Sequence, residues 1–382
     1  MKTDIPLNSP ENKRASEILS ACVHCGFCLA TCPTYQQTGN ELNSPRGRIY
    51  LIKSLLESNK VSSDTTLYLD QCLLCRSCET TCPSGVNYHQ LVTIAKDKIN
   101  QKRPLWQKMY RLSVATFLTT PNAFNFVAPF VRHSKVTSEL ILPKKIIGKV
   151  LLVDGCVQPS LAPNINHQIT NILASLHYDV MKTAQQACCG AIDKHLENNE
   201  AAIKQIKNNI DHWFELLKND VENVISSASG CGLMIKDYPD LFDEKDSYKE
   251  KAQFVADKTL DIAEFLLEQD LSDFTIKAKN IAYQTPCTMQ HGLKLKGIVE
   301  KILAQFQIDL PMIKDSHLCC GSAGTYSIFQ KKMADQLGQE KIKNLEREQP
   351  DVIVTSNIGC LMHLQKKTKT PVKHWVELLT LD

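Results

Sequence analysis

Two copies of one cysteine spacing near the amino terminus constrain this chain more than any other feature. In each copy three cysteines are separated by two residues, and a fourth, followed by proline, comes four positions later. The copies comprise Cys22, Cys25, Cys28 and Cys32, and Cys72, Cys75, Cys78 and Cys82. Three thiolates so spaced can bind three irons of one [4Fe-4S] cluster, while the fourth reaches the neighbouring cluster. The spacing therefore predicts two [4Fe-4S] clusters in this region.

We predict that each cluster takes its fourth thiolate from the other copy of the motif. The two predicted ligand sets are Cys22, Cys25, Cys28 and Cys82, and Cys72, Cys75, Cys78 and Cys32. Structural zinc also binds cysteine tetrads, but typically through two separated C-x-x-C pairs, which makes zinc the weaker alternative. Two such clusters carry single electrons and offer no site to bind or deprotonate an organic substrate, so substrate chemistry must begin elsewhere.

The segment between the two copies has the pattern of a helix. Ser44 is a candidate N-cap and Pro45 suits the first helical position. Its apolar residues on one helical face are Ile49, Ile52, Leu55 and Leu56. Arg46, Arg48 and Arg76 either offset the negative charge of thiolate-bound clusters or lie solvated at the surface.

The carboxyl-terminal part of the chain is an internal duplication. Cys156, Cys188 and Cys189 recur 131 residues later, and Cys231 recurs 129 residues later. The recurring cysteines are Cys287, Cys319, Cys320 and Cys360. Because chance would not keep this register, the two halves are predicted to share one fold.

The sequences that lead into these cysteines also repeat. GKVLLVDGC, residues 148–156, matches AKNIAYQTPC, residues 278–287, and VENVISSASGC, residues 221–231, matches QPDVIVTSNIGC, residues 349–360. Each is a short apolar, β-branched run typical of a buried strand that delivers a side chain to a loop. Amphipathic helical patterns alternate with these strands; one has on a single face Ile203, Ile206, Ile210, Trp213, Phe214 and Leu217. The alternation predicts two α/β domains with mainly parallel sheets.

These patterns divide the chain into four parts. We predict an α-helical ferredoxin-like domain with two [4Fe-4S] clusters at residues 1–100 and a helical linker at 101–146. The two duplicated α/β domains, called here the first and second cysteine-rich repeats, are predicted at 147–270 and 271–382. Within the linker, the apolar residues 114–131 are interrupted by proline, asparagine and threonine, which favours a buried helix and turn over a membrane span. Contact of this stretch with a membrane surface or a partner subunit is the alternative.

Each cysteine-rich repeat offers four thiols close to predicted strand ends. Adjacent cysteines rarely bond to each other, because the ring would be strained, whereas both thiolates can face one metal. The two candidate metal sites are Cys156, Cys188, Cys189 and Cys231, and Cys287, Cys319, Cys320 and Cys360. Gly190 and Gly321 would let the backbone approach such a site closely. Buried structural cysteines are the alternative, which explains one CC pair but not a repeated register of four.

The two repeats differ in their histidines. His291, His317 and His363 lie within four residues of cysteines of the second repeat, where the first repeat has other residues. Each of them alone is typical of an ordinary hydrogen-bonded residue. Together they make the second repeat the better candidate for mixed ligation or proton-coupled chemistry.

Composition excludes several classes of protein. A hydrophobic fraction of 43% with 22% charged residues is typical of a globular protein, and a formal net charge of +3 without a basic, aromatic run argues against nucleic-acid binding. The amino terminus lacks an apolar run that could serve as a signal peptide, so we expect a cytoplasmic protein. Sixteen cysteines in the reducing cytosol indicate metal or redox chemistry and not disulfides.

The motif-bearing stretches ACVHCGFCLATCPTYQQTGNELNSPRGRIYLIK and DQCLLCRSCETTCPSGVNYH resemble the iron-sulfur subunits of glycolate oxidase, also called glycolate dehydrogenase. The resemblance covers nearly the whole chain. The wider family, similar in its cysteine-rich repeats, includes the cysteine-rich subunit of heterodisulfide reductase, the iron-sulfur subunit of anaerobic glycerol-3-phosphate dehydrogenase and lactate-utilisation proteins. The family repeat contains five cysteines, but here Ala228 and Asn357 replace one in each half. This loss argues against the thiol-disulfide reductase chemistry of heterodisulfide reductase and leaves a simpler iron-sulfur centre as the option.

The resemblance implies an electron-transfer subunit of a heteromeric oxidoreductase complex. In such a complex, flavoprotein subunits carry the FAD and oxidise glycolate to glyoxylate, and this subunit passes electrons to a quinone or membrane acceptor. The sequence agrees, since no G-x-G-x-x-G fingerprint follows a predicted strand. The implied location is cytoplasmic, with peripheral attachment to the cytoplasmic face of the inner membrane as an option. The alternatives are the equivalent subunit of a lactate or glycerol-3-phosphate dehydrogenase, a disulfide reductase, and a zinc or interaction module.

Overall fold

A computed structural model describes residues 1–120, 132–136, 138–183 and 185–381. The chain forms two compact units, one of Met1–Arg111 with Asp315–Asn344 and one of Leu112–Lys314 with Leu345–Asp382. The first predicted repeat lies within the second unit, whereas part of the second predicted repeat groups with the amino-terminal region. The compact units follow contacts in space, and the four-part division of the sequence stays a prediction. Most of the stretch 114–131 in the predicted linker lies outside the described residues.

The first unit is built from short helices joined by the loops that carry the amino-terminal cysteines. Its helices are Pro10–Ala21, Phe27–Ala30, Pro33–Thr38, Pro45–Ser58, Ser63–Asp70, Ser77–Thr81, Tyr88–Lys102 and Tyr326–Phe329, with a 3-10 turn at Glu41–Asn43. Two further helices, Leu105–Thr119 and Lys331–Leu345, begin in this unit and end in the other. The helical amino-terminal region agrees with the sequence prediction.

The helix Pro45–Ser58 begins where the sequence predicts. The Ser44 hydroxyl accepts a hydrogen bond from the Gly47 N–H at 3.0 Å, as an N-cap does. The four predicted face residues are buried in the core of the unit, where Leu19 and Leu91 are fully buried. This core fixes the helices on either side of the cysteine loops.

The second unit contains the described strands. They are β1 (Gly148–Val153), β2 (Tyr178–Met181), β3 (Asn223–Ser226), β4 (Thr259–Asp261), β5 (Phe274–Ile276), β6 (Ile281–Gln284), β7 (Val352–Thr355), β8 (Val372–His374) and β9 (Leu379–Leu381). The helices of this unit are Gln158–Leu161, Pro163–Ser175, Ala191–His195, Asn199–Asn219, Ser229–Lys236, Lys249–Asp257, Ile262–Leu267, Ile298–Gln305 and Ile358–Gln365. Shorter turns of helix are Tyr238–Leu241, Thr288–Gly292, Glu346–Glu348 and Trp375–Leu378.

Two parallel sheets correspond to the two halves of the duplication. The first has the strand order β2-β1-β3-β4 and the second the order β6-β7-β8. In the first sheet Leu151 pairs with Val224, and in the second Tyr283 pairs with Val354, so equivalent strands pair in both. The predicted α/β architecture with mainly parallel sheets is confirmed. The antiparallel pair β5-β9 was not predicted, because its strands are only three residues long.

The equivalent strands β4 and β8 end in different ionisable residues with the same local role. Asp261 and His374 each begin a capping box, completed by Glu264 and Glu377. Both side chains are buried, and burial raises the pKa of Asp261 to about 7 but lowers that of His374 to about 4. The neutral His374 ring lies 2.9 Å from the Ser227 carbonyl through Nε2, which links the second half to the first.

The glycines that follow the CC pairs are required by the backbone and by packing. Gly190 and Gly321 have φ values of 87° and 90°, a left-handed conformation that favours glycine. A Cβ on Gly190 would lie 2.9 Å from Ile206 Cγ1, and one on Gly321 would lie 2.7 Å from the Ala334 carbonyl oxygen. The close approach is thus to the helices Asn199–Asn219 and Lys331–Leu345, whereas the sequence suggested an approach to a metal site.

In the described part of the chain, no helix is both long enough and apolar enough to cross a membrane. The predicted absence of a membrane span at 114–131 concerns residues that lie largely outside this part.

We predict that Gly190→Ala destabilises the protein more than Gly297→Ala. Both positions have positive φ, but a Cβ on Gly297 meets no atom within 4 Å. Gly297→Ala should therefore cost about 1 kcal/mol of backbone strain, whereas Gly190→Ala should cost about 3 kcal/mol because overlap with Ile206 is added. Urea unfolding followed by circular dichroism under anaerobic conditions measures both. Equal midpoints for the two variants would contradict the packing argument.

Candidate functional site

The two amino-terminal cysteine motifs fold into loops of the same shape. In each, the residues immediately before and after the middle cysteine have left-handed backbone conformations: His24 and Gly26 in the first motif, Leu74 and Arg76 in the second. Such conformations cost a non-glycine residue about 1–3 kcal/mol. The two reversals flank the middle cysteine, and the short helix that follows carries the third cysteine.

One cavity of the first unit gathers thiols from both motifs. Its walls include Cys22, Cys25, Cys28, Cys78 and Cys82. Cys25 is exposed and Cys22, Cys28 and Cys82 are half-buried, so this cavity opens to solvent. It is called here the exposed thiol site.

A neighbouring cavity holds the remaining thiols of the two motifs. Its walls include Cys32, Cys72, Cys75 and Cys78, together with Arg48 and Tyr88. Three of these cysteines are at least nine-tenths buried, whereas Cys75 is partly exposed. This cavity is called here the buried thiol site, and Cys78 lies in the wall that it shares with the exposed thiol site.

Burial disfavours the thiolate form of two cysteines in these sites, Cys28 and Cys78. Burial, reinforced by the nearby Cys22, raises the pKa of the Cys28 thiol to about 11. Burial, reinforced by Cys75 and Cys72, raises the pKa of the Cys78 thiol well above its ordinary value. Thiols crowded in this way become thiolates when a metal centre supplies the compensating charge, and four sulfur donors suit an iron-sulfur cluster. The residues of both thiol sites therefore fit such a group.

The three arginines considered from the sequence have different environments. Arg48 is 1% exposed and lines the buried thiol site. Arg46 lies beside the exposed thiol site, where its Nε donates to Glu41 Oε1 at 2.7 Å. Arg76 is partly exposed and occupies one of the left-handed loop positions. Of the three, only Arg48 is a buried cation.

The four cysteines of the first cysteine-rich repeat lie together in the second unit. Cys156 follows β1, Cys231 lies in the helix after β3, and the adjacent pair lies in the loop before the helix Ala191–His195. Their thiols are in hydrogen-bond contact in the order Cys156, Cys188, Cys189, Cys231. Contact with the Cys188 thiol, together with burial, raises the pKa of Cys156 well above its ordinary value. Such a cluster can bind a metal through sulfur, as the amino-terminal sites can.

Two residues that sequence reasoning missed hold the CC pair of this repeat in place. Asn209 is fully buried; its Oδ1 accepts from the Ala187 N–H and its Nδ2 donates to the Cys188 carbonyl, both at 2.9 Å. The Tyr238 hydroxyl donates to the Cys189 carbonyl at 3.0 Å. The available signal was Asn209 itself, a polar residue on the apolar face of the helix Asn199–Asn219.

The cysteines of the second repeat are distributed over both units. Cys319 and Cys320 lie in the first unit, where both are 2% exposed and the Gly321 N–H points to Cys319 Sγ at 3.4 Å. Cys287 and Cys360 lie in the second unit, after β6 and after β7. The three histidines are divided likewise: His317 belongs to the first unit, and His291 and His363 to the second.

The residues that replace the fifth family cysteine occupy equivalent positions. Ala228 and Asn357 are the N-terminal flanking residues of the helices Ser229–Lys236 and Ile358–Gln365. Ala228 offers no donor side chain, whereas the Asn357 Nδ2 donates to Cys360 Sγ at 3.6 Å. The second repeat thus has a hydrogen bond to a thiol where the first has a methyl group.

All sixteen cysteines are free of disulfide bonds.

Two protein families match parts of this chain. Residues 18–86 match the 4Fe-4S dicluster domain family, and residues 150–236 and 281–365 match the cysteine-rich domain family. These matches confirm the predicted iron-sulfur region and the duplication.

Three relatives cover different shares of the chain. It is 42% identical to the glycolate oxidase iron-sulfur subunit of Escherichia coli K12, over 99% of this chain and 98% of that relative. It is 28% identical to the probable glycolate oxidase iron-sulfur subunit of Bacillus subtilis 168, over 93% and 90%. It is 27% identical to lactate utilization protein A of Bacillus licheniformis, over 60% of this chain and 98% of that relative. The chain therefore belongs to the family of glycolate oxidase iron-sulfur subunits, and its role is that of an iron-sulfur electron-transfer subunit of an oxidoreductase.

Proposed function

We propose that this chain serves a flavin-dependent glycolate dehydrogenase complex. Flavoprotein partner subunits carry the FAD and oxidise glycolate to glyoxylate, and this subunit passes the electrons to a quinone-type acceptor. The observation that carries the proposal is the pair of adjoining thiol sites, in a chain 42% identical over nearly its whole length to a glycolate oxidase iron-sulfur subunit.

The proposed ligands of two [4Fe-4S] clusters are Cys22, Cys25, Cys28 and Cys82 at the exposed thiol site, and Cys72, Cys75, Cys78 and Cys32 at the buried one. The grouping of these thiols in two cavities supports the assignment. Such a cluster accepts and releases one electron at a time without bonding to a substrate. The chain's own contribution is to hold the thiols in loops of fixed shape, to exclude water from the buried site and to supply Arg48 as a compensating charge.

We assign substrate oxidation to the partner subunits and electron transfer to this chain because of what the side chains of this chain can do. Removing a hydride from a 2-hydroxy acid requires an organic cofactor such as a flavin, and the sequence has no dinucleotide-binding fingerprint. FAD on partner subunits only is therefore part of the proposal. The acceptor is proposed to be a membrane quinone, met from the cytoplasmic face of the inner membrane.

The cysteine-rich repeats are proposed to hold a further iron-sulfur centre. The contiguous thiols of Cys156, Cys188, Cys189 and Cys231 support this for the first repeat. For the second repeat the proposed donors are Cys287, Cys319, Cys320 and Cys360, with His291, His317 and His363 as nearby polar groups. The domain bounds 1–100, 101–146, 147–270 and 271–382 remain our proposal for the functional segments.

A second candidate substrate is lactate. Similarity to lactate utilization protein A over 60% of the chain favours it, although that relative is shorter and less similar than the glycolate oxidase subunit. The role of this chain would be unchanged, because the substrate would bind to the flavoprotein partner.

Purification of the chain with its partner subunits tests the proposed substrate. We expect the complex to reduce an artificial electron acceptor with glycolate at least tenfold faster than with D-lactate, because the partner site would be selected for the smaller hydroxy acid. Initial rates with both substrates at equal concentrations give the ratio. A faster reaction with D-lactate would replace glycolate by lactate, and failure to retain any flavoprotein would contradict the proposal.

Anaerobic preparation tests the metal. The two amino-terminal sites should contribute about eight irons per chain, as two four-iron clusters. Iron and zinc analysis with EPR of the dithionite-reduced protein measures this. Cys25→Ser should perturb the EPR signal of the exposed-site cluster and Cys75→Ser that of the buried-site cluster, and each should leave the other signal unchanged. Finding zinc but no reducible iron would disprove the proposed electron-transfer function.

The second repeat can be tested by removing its CC pair. We expect Cys319→Ala with Cys320→Ala to stop quinone reduction by glycolate, because the path beyond the amino-terminal clusters is broken, while flavin reduction in the partner persists. Stopped-flow absorbance separates the two steps. The matched pair Cys188→Ala with Cys189→Ala tests the first repeat in the same assay. Normal quinone reduction by the Cys319 and Cys320 variant, with its clusters intact, would show that this pair is structural.

A further inference from the structure

Arg48 is a buried cation surrounded by neutral acceptors. Its side chain is 1% exposed, and no Asp or Glu of the described chain lies within ion-pair distance of it. Its Nε donates to the Tyr68 carbonyl at 2.8 Å, and its Nη2 donates to Thr34 Oγ1 at 3.0 Å and Asn43 Oδ1 at 3.3 Å. These acceptors fix the guanidinium but do not cancel its charge. A buried uncompensated charge is strongly unfavourable, so the site is built for an anion.

The anion that the geometry offers is the set of cysteine sulfurs in the buried thiol site. Arg48 Nη1 lies 3.9 Å from Cys32 Sγ, and both line one cavity with Cys72, Cys75 and Cys78. The site also has one hydroxyl group directed at sulfur. The Tyr88 hydroxyl donates to Cys72 Sγ at 3.9 Å, whereas the Thr34 hydroxyl donates to the Asn43 carbonyl at 2.7 Å.

The exposed thiol site has different electrostatic surroundings. The arginine in its wall, Arg46, is paired with Glu41 at 2.7 Å, and the two side chains are 32% and 44% exposed. Solvent and the carboxylate therefore screen its charge. The two sites thus have the same kind of ligands, but the buried one faces the unscreened cation Arg48 beside the partly exposed Arg76, and the exposed one faces a screened cation.

We propose that Arg48 sets the reduction potential of the cluster at the buried thiol site and makes that cluster the better electron acceptor of the two. This inference rests on the proposed pair of clusters. A cluster gains negative charge on reduction, so a nearby buried cation stabilises the reduced form more than the oxidised form and raises the potential. Hydrogen bonds to the ligand sulfurs act in the same direction. Burial alone would lower the potential, and Arg48 opposes that effect.

Redox titration monitored by EPR tests the proposal on the full-length chain with clusters assembled anaerobically. Arg48→Gln should lower the midpoint potential of the buried-site signal, with at least a tenfold smaller ratio of reduced to oxidised cluster at a fixed potential, equivalent to about 59 mV. The Cys25→Ser and Cys75→Ser variants assign the two signals. Arg48→Lys, which keeps the positive charge, should retain most of the wild-type midpoint potential of the buried-site cluster.

Two further variants keep the test decisive. Arg46→Gln is the matched control and should leave the buried-site potential unchanged, because its charge is already screened. Tyr88→Phe removes only a hydroxyl and should lower that potential in the same direction by a smaller amount. If Arg48→Gln loses the cluster, the order of the two wild-type potentials decides: a buried-site midpoint potential below that of the exposed site would overturn the proposal, because Arg48 is proposed to make the buried-site cluster the better electron acceptor.

The outcomes separate this inference from the proposed function. If the wild-type protein lacks two cluster signals, the proposed function fails. If both signals are present and Arg48→Gln leaves both at wild-type potentials, only the role of Arg48 fails.

Discussion

Burying crowded thiols together with positive charge is the constraint on which the amino-terminal unit depends. Two unit charges about 4 Å apart interact by about 4 kcal/mol at an effective dielectric constant of about 20. A typical hydrogen bond contributes only about 1 kcal/mol net. Whether the thiols at the buried site become thiolates therefore depends first on charge, supplied by a metal centre and by Arg48, and only second on hydroxyl donors such as Tyr88.

This constraint explains why the loops are strained and the helices between them are not. The helix Pro45–Ser58 has an ordinary cap and an apolar face, and it brings Arg48 to Cys32 without distortion. The cysteine loops instead require left-handed backbone at Leu74 and Arg76. Ligand bonds from three closely spaced thiols can stabilise such a loop. The metal is thus expected to contribute to folding as well as to electron transfer.

The sequence predicted those features that depend on local spacing. The cysteine triplets, the cap at Ser44, the duplicated strands and the missing fifth cysteines at Ala228 and Asn357 can all be identified from neighbouring residues. Features set by tertiary packing could not be identified this way. The helix pattern places Arg48 on the side of Ile52 and Leu55 and Arg46 away from it, but only the fold shows that Arg48 faces the thiols and has no acidic partner in the described part of the chain.

The same limit applies to the carboxyl-terminal half. Asn209 could be noticed as polar on an apolar face, but its contacts with the CC pair depend on how helix and loop pack. The grouping of residues 315–344 with the amino-terminal region depends on contacts between residues far apart in sequence. Duplication predicts that the two halves share one fold, but it does not predict which neighbours each half packs against.

The two repeats also hold their CC turns with different chemistry. In the first, the neutral amide of Asn209 binds the backbone of the pair itself. In the second, the helix that follows the pair contributes Lys341, which is 4% exposed and donates to the carbonyls of Asp315 and Ser316, just before Cys319. An amide leaves the charge of its surroundings unchanged, whereas a buried ammonium favours anionic sulfur nearby. The duplication has therefore kept four thiols and a glycine in each half, while the buried side chain that binds the backbone is a neutral amide at the CC pair of the first repeat and a lysine just before the CC pair of the second.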